Sequence, residues 1–366
     1  MSPIEGRSVA LAAISLVALA VVAGCGGGSQ ADTATSSSTS VAAPARSVAP
    51  SPSAACGDAP GPATPERIDV TVDGTPRTAA VHVPTSEEID GTTEPLPVVL
   101  SFHGVNGSPA VQQATDGLLA MSDDEGVVVV HPEGLVVGLN EQVDGITGWD
   151  ADGDRVDEPG FVAAVLDELG AAVCIDTSRV FATGFSAGGN IALVVSCALP
   201  DRIAAVAPVG AAYQPGQCRG APPVPILAFH GSDDIVVPLG GRDTAEAGTL
   251  LPVREALDAQ AGRNGCDGDV TTSDLSPRVR SLAWSGCEVS TTLVELDDHG
   301  HAWPGHPLPF GRDVLLALFA GSADQPPDPL MVAIGEQPDA MADNVLLTND
   351  DVDATAMIWE FFSGVR

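Results

Sequence analysis

Gly184-Phe185-Ser186-Ala187-Gly188-Gly189 is the stretch on which the reading of this chain turns. An apolar run, Arg179-Val180-Phe181-Ala182-Thr183, leads into it, and a helix-compatible run, Asn190-Ile191-Ala192-Leu193-Val194-Val195-Ser196-Cys197, leads out. Strand, sharp turn and helix is the setting in which the serine of a G-x-S-x-G pattern is lifted above a sheet as a nucleophile, because small flanking residues let the backbone kink. The dipole of the following helix then favours negative charge at the turn. With 40 glycines in the chain the bare pattern can arise by coincidence, so a base, an acid and an oxyanion hole must be found around it in the order such a fold requires.

Upstream, 67–72 and 78–83 alternate apolar and polar residues around Asp73-Gly74, which predicts a hairpin. The run Leu96-Pro97-Val98-Val99-Leu100-Ser101-Phe102 reads as a buried strand that stops at His103-Gly104-Val105-Asn106-Gly107, and a helix over 110–121 precedes a second buried run, 127–130. Strands alternating with helices predict an α/β fold: a mostly parallel central sheet, an antiparallel hairpin at its N-terminal side, and helices on both faces. The site of such a sheet lies at the carboxyl edge of its strands. There the N–H groups of Val105 and Ala187 are the expected oxyanion hole, and His103 is expected to fix its loop rather than act as the base. Asp150, Asp152, Asp154 and Asp157 have a tempting calcium spacing. An EF-hand loop, however, wants Gly where Arg155 stands and Glu where Phe161 stands, so a solvated acidic loop is expected, with Asp157-Glu158-Pro159 opening a helix over 160–169.

Downstream, 204–209 and 225–229 read as strands, and the second ends in His230-Gly231-Ser232-Asp233-Asp234. An acid just past a late strand can orient a base, and either Asp233 or Asp234 is available for it. A helix over 253–261 and a last strand over 291–296 lead to Asp297-Asp298-His299-Gly300-His301. A His after the last strand completes the order Ser, Asp, His.

The chain carries 49 acids against 15 bases, a net charge of -34, which argues against nucleic acid and polyanions as partners. At its start, Arg7 precedes an apolar run over 9–22 that ends in Val22-Ala23-Gly24-Cys25. That run is short for a membrane span and fits an export signal, residues 1–25, with a lipobox-like end that would make Cys25 a lipidated N-terminus attached to the bacterial cell membrane on its outer side, with a secreted form as the variant. Residues 26–65 are Ser, Thr, Ala, Pro and Gly and read as a disordered tether. Of seven cysteines, setting Cys25 aside leaves six, an even set suited to an oxidising compartment. Fifteen pairings are possible; the short separations favour Cys197 with Cys218 and Cys266 with Cys287, leaving Cys56 with Cys174.

Taken together, His103-Gly104, Gly184 to Gly189, His230 to Asp234 with Val237-Pro238, and Gly300-His301-Ala302-Trp303-Pro304-Gly305 resemble the poly(3-hydroxybutyrate) depolymerase and feruloyl esterase family of alpha/beta-hydrolases, especially its LpqC-like lipoprotein esterases of actinobacteria. The likeness runs over about 67–309 and returns at 351–362, which looks like the family's closing helix, within a domain of 66–366. The resemblance implies Asp234 as the acid and His301 as the base, with Asp233 variable and His299 a neighbour; the family's paired cysteines also match Cys266 and Cys287. Two departures stand out. Residues 310–350 are longer than the usual link to the last helix, an insertion suited to a lid, an interaction loop or disorder, and His131 stands where the family often has Tyr.

The expectation is therefore a serine carboxylic ester hydrolase acting through Ser186, Asp234 and His301, with no metal and no organic cofactor. The resemblance implies short-chain, hydroxyalkanoate, acetyl or feruloyl esters, small or polymeric. Trp149 and Trp303 are available either to stack on a sugar or phenolic ring or to pack. Two rivals stand beside this reading: an envelope lipoprotein that uses the hydrolase fold as a binding module, and a peptidase on the same fold.

Overall fold

Val98, Val99, Leu100, Val128, Val129 and Val130 are all fully buried, as strands covered on both faces require. They lie in a computed structural model that describes residues 51–57, 65–84, 94–137, 146–214, 216–244, 248–309, 311–313, 315–316 and 337–365. Its strands are β1 (Arg67–Val72), β2 (Thr75–His82), β3 (Leu96–Phe102), β4 (Val128–Pro132), β5 (Leu135–Val137), β6 (Ile146–Gly148), β7 (Ile175–Phe185), β8 (Ala205–Val209), β9 (Ile226–Gly231), β10 (Arg242–Thr244), β11 (Gly248–Leu250), β12 (Val270–Ser276), β13 (Val279–Trp284) and β14 (Thr291–Leu296). Ten of them form one sheet in the order β1-β2-β4-β3-β7-β8-β9-β14-β13-β12. From β4 to β14 the neighbours run parallel, and the β1–β2 and β12–β13 hairpins close the two ends antiparallel. This is the mostly parallel sheet that the alternation of elements predicts, in the alpha/beta-hydrolase arrangement that the resemblance implies.

Two apolar layers cover the sheet. On one face Phe161, Val165 and Leu169 of α3 (Glu158–Ala172), Ile191 and Val195 of α4 (Ala187–Ala198) and Leu257 of α5 (Val253–Arg263) pack on β3, β7 and β9. On the other, Ile358, Phe361 and Phe362 of the last helix, Ala354–Gly364, meet Val99, Phe181 and Val209, with the Phe181 and Phe362 rings stacked at 4.7 Å.

Several expectations change in detail. The single helix expected over 110–121 is two, α1 (Pro109–Thr115) and α2 (Leu118–Glu125). Gly117 sits between them at φ 65°, and Asp116 turns its carboxylate onto the Leu118 N–H at 3.0 Å. The β2 strand starts at Thr75 rather than 78, because Asp73 and Gly74, both at positive φ, make a two-residue turn. The tether boundary at 65 falls too late: the Ser53 N–H donates to the Ile175 carbonyl, the Thr177 N–H donates to the Ser51 carbonyl, and Cys56 is bonded to Cys174. The other disulfides pair Cys197 with Cys218 and Cys266 with Cys287. Residues 1–50, with the export signal and Cys25, lie outside the described residues, as do 317–336 of the expected insertion. The end of that insertion is helical, α6 (Pro338–Leu346), and the last helix is therefore α7. Among the described residues no helix is long and apolar enough to cross a membrane.

One ion pair ties the hairpin end to α3. Arg77 donates to Glu158 at 2.8 Å with both side chains buried, and its guanidinium lies 3.9 Å over the Phe161 ring. Burial raises the Glu158 carboxyl above its ordinary value even with Arg77 beside it, so the pair is a net desolvation load that only the partner makes tolerable. Arg77→Met should lower the unfolding free energy by about 3–5 kcal/mol in urea titration, since it strands a buried carboxylate, and adding Glu158→Gln should recover part of the loss.

Candidate active site

The elbow is built by absence of side chains. At Gly188 an added Cβ would lie 2.0 Å from the Phe102 carbonyl oxygen, and at Gly184 one would lie 2.4 Å from the Gly188 carbonyl oxygen. Strand β7 can therefore turn into α4 while touching the end of β3. Ser186 sits at the turn with φ 56° and ψ -121°, held by its N–H to the Val209 carbonyl at 2.9 Å. A non-glycine residue at positive φ costs strain that the surrounding crossing must hold in place.

The same crossing brings in the loop after β3. A Cβ on Gly104 would be 3.4 Å from the Ser186 Cβ, so this loop passes directly beside the serine. Within it Asn106 donates to the Thr147 carbonyl and Gly107 to the Gly104 carbonyl, and the Val105 N–H takes part in neither bond. Ala187, as the first residue of α4, has no intrahelical acceptor for its own N–H.

His103 anchors this loop, as its position suggests. Its ring is buried, with Nδ1 bonded to the Gly104 carbonyl at 2.8 Å, so that nitrogen carries the proton; Nε2 accepts the Gly134 N–H at 3.0 Å. Both nitrogens are occupied in the neutral form, and burial lowers the ring's proton affinity. Trp149 donates to the His103 carbonyl at 2.8 Å and packs edge-on against Phe102; Trp303 is buried and donates to Thr355 at 2.9 Å. Both tryptophans are packing residues. The acidic loop behaves as a turn: Asp150 is buried and accepts the N–H groups of Arg155 and Val156, and Asp157 caps α3. No cluster of potential metal ligands exists among the described residues. His131 is fully buried and bonds Asp116 at 2.9 Å, tying the end of β4 to the loop after α1.

Geometry distinguishes Asp234 from Asp233 and His301 from His299. His301 Nδ1 lies 2.7 Å from Asp234 Oδ2. Asp234 Oδ1 accepts the N–H groups of Val236 at 2.9 Å and Val237 at 2.8 Å, which aims the carboxylate. Burial alone would raise the Asp234 carboxyl; the neighbouring His301 and His230 and the Val237 N–H outweigh it and hold the group below the ordinary Asp range. Asp233, by contrast, is exposed and bonds Ser232. His299 is buried, with Nε2 donating to the Ala302 carbonyl and Nδ1 accepting the Asn349 N–H, so neither nitrogen is available. The His301 ring lies 4.6 Å from the ring of Phe185, next to Ser186, and a Cβ on Gly210 would sit 3.5 Å from its Nδ1. Serine, acid and imidazole thus gather at the carboxyl edge of β7, β8, β9 and β14.

A family profile described as phospholipase/carboxylesterase matches residues 158–250, from α3 through the elbow to β11. NocK of Nocardia uniformis subsp. tsuyamanensis is 30% identical over 271 residues, 68% of this chain and 76% of that protein. The chain belongs to the feruloyl esterase-like alpha/beta-hydrolases. Feruloyl esterase D of Neurospora crassa is 26% identical to this hydrolase over 66% of the chain and 79% of that enzyme. The bifunctional acetylxylan esterase/xylanase XynS20E of Neocallimastix patriciarum is 33% identical over 38% of the chain, which spans a fifth of that longer protein. The hydrolase is a serine esterase.

Sequence reasoning did not find Asn344, which is buried and bonded to the loops of both Asp234 and His301. Its signal was faint because it lies inside 310–350, where no family motif runs. Nor did it find His230 as a neighbour of the acid: this ring donates Nε2–H to the Val237 carbonyl at 2.7 Å, and burial lowers its proton affinity.

His103, His230 and His299 are all held neutral by burial, so the unfolded chain binds protons there that the folded one refuses. The stability they confer is complete above the unfolded value of about 6.5 and is lost as pH falls below it towards their depressed folded values, at up to roughly 1.4 kcal/mol per pH unit for each. Denaturant titrations at pH 7 and pH 5 should show the lower stability at pH 5, with a shallower slope in His299→Gln than in the parent protein.

Proposed function

We propose that Ser186, His301 and Asp234 form the catalytic triad of this esterase. The observation that carries the reading is the 2.7 Å contact between His301 Nδ1 and a buried, doubly hydrogen-bonded Asp234, beside a serine on a strained elbow. With Asp234 on Nδ1, the imidazole keeps Nε2 unprotonated and able to take the Ser186 proton as the hydroxyl attacks an ester carbonyl. The N–H groups of Val105 and Ala187 receive the oxyanion, and the helix dipole of α4 adds to their effect. The alcohol leaves with the proton from His301, forming an acyl-enzyme. Water activated by the same ring then releases the acid, and the chemistry asks for no metal or cofactor.

The substrate class we assign is a feruloyl or acetyl ester on a saccharide. The names of the relatives support this choice. Three disulfides support folding in an oxidising compartment, and with the sequence of residues 1–25 they support export and attachment to the membrane through Cys25.

Hydrolysis of p-nitrophenyl acetate and butyrate, methyl ferulate and acetylated xylan tests both levels. Ser186→Ala should abolish turnover of the aryl esters, and Asp234→Asn should lower kcat by about four orders of magnitude. Persisting turnover in Ser186→Ala would remove the triad. Turnover of aryl esters without release of ferulate or acetate from the natural esters would remove the substrate class alone.

A further inference from the structure

We propose that Asn344 is a positioning residue for the triad, and that α6 is the element that delivers it. The inference rests on the triad reading above and deepens it. Asn344 is buried, and its amide reaches both loops that carry the acid and the base. Its Oδ1 accepts the backbone N–H of His301 at 3.0 Å and of Ile235 at 3.3 Å, while Nδ2 donates to the Asp233 carbonyl at 2.6 Å. Two N–H groups on one amide atom and a carbonyl on the other leave only one orientation of the side chain that satisfies them all. Asp233 and Ile235 bracket Asp234, so one amide fixes the backbone on both sides of the acid and the backbone of the base.

The rest of the segment continues the join. The Gly300 N–H donates to the Leu347 carbonyl at 2.8 Å, the Asn349 N–H to His299 Nδ1 at 2.8 Å, and Asn349 Nδ2 to the Asp297 carbonyl at 2.8 Å. Gly300 has no room for a side chain, since a Cβ there would meet the Asn344 carbonyl oxygen at 2.0 Å. Apolar contacts also hold α6 in place. Met341, Ala342 and Val345 are buried against Val236 and Val237, the residues whose N–H groups aim Asp234. The outer face carries Asp339 and Asp343, both paired with exposed Arg312. The helix thus contributes shape and solubility through most of its surface, while a single polar side chain reaches the reacting groups' backbone.

A positioning group of this kind acts on the rate of chemistry more than on ground-state binding, because a misplacement of about 1 Å in a triad costs on the order of 100-fold in rate. With p-nitrophenyl butyrate, Asn344→Ala should lower kcat by about 10- to 100-fold while KM changes by less than about 3-fold. The low-field proton resonance of His301 Nδ1–H should broaden or weaken in the variant, and Asn344→Asp, which sets a carboxylate oxygen in place of the Nδ2 donor against the Asp233 carbonyl, should also lose kcat. Near-UV circular dichroism establishes that each variant is folded. In the parent protein the His301 and Ile235 amides should exchange slowly with solvent deuterium, a measurement that stands even if no variant folds.

A folded Asn344→Ala with parental kcat, a loss of kcat with an unaltered His301 resonance, or rapid exchange at both amides would each overturn the proposal. Ser186→Ala separates this from failure of the triad. If that variant is dead and Asn344→Ala is unimpaired, only the positioning role is lost; if Ser186→Ala is active, the triad reading and the positioning role fall together.

Discussion

The contact on which the site depends is the crossing of Gly188 over the carbonyl of Phe102, where a single methyl group would have no space. It joins the ends of two neighbouring parallel strands, β3 and β7, so that the segments leaving both strands meet at one point. After β7 comes Ser186 and the start of α4; after β3 comes the loop of His103, Gly104 and Val105. Ser186 and the loop of Val105 are thus brought together by backbone contact rather than by side-chain packing, which leaves little slack for misplacement. The energetic consequence is that the strain at Ser186 is sustained by a rigid sheet whose centre is buried on both sides.

Behind that contact runs a relay of buried polar groups. Arg77 holds Glu158, Glu158 accepts the Asp150 N–H at 3.2 Å, the adjacent Trp149 donates to the His103 carbonyl, and His103 shapes the loop of Val105. Each member is hydrogen-bonded to the next or adjoins it in the chain, which couples the set, although Arg77 Nε and Nη1 stay buried without a hydrogen-bond partner and add to the desolvation load of the pair. On the other side of the serine the support is different in kind: Asp234 is aimed by backbone N–H groups, and the loops around it are fastened by a helix from much later in the chain. The two halves of the site therefore have independent supports.

The parts of this arrangement that were legible in the sequence are those written in local pattern. The strand over 96–102, the elbow at 184–189 and the turn at Asp73-Gly74 each carry their own signature in composition or periodicity. The hairpin of β12 and β13 does not. β12 reads Val-Thr-Thr-Ser-Asp-Leu-Ser at an exposed edge, where only weak burial remains to impose alternation, and nothing in it outweighs a loop reading. The break at Gly117 was hidden because the apolar pattern of a helix continues across it. Asp234 and His301 followed from chain order and family pattern, but their pairing, and the neutral states of His103, His230 and His299, are matters of three-dimensional contact. Asn344 acts through backbone groups far from its own place in the chain, a relation that periodicity does not encode.

The disulfide between Cys56 and Cys174 has a directional consequence. Cys174 immediately precedes the first residue of β7, and Ser186 immediately follows the last, so the strand of 11 residues separates the two by roughly 35 Å along the sheet. Ser51, which accepts the Thr177 N–H at 2.8 Å, lies with Cys56 at the end of β7 remote from Ser186. A displacement of Cys56 would be taken up by the sulfur bridge and the length of β7 before it reached the elbow.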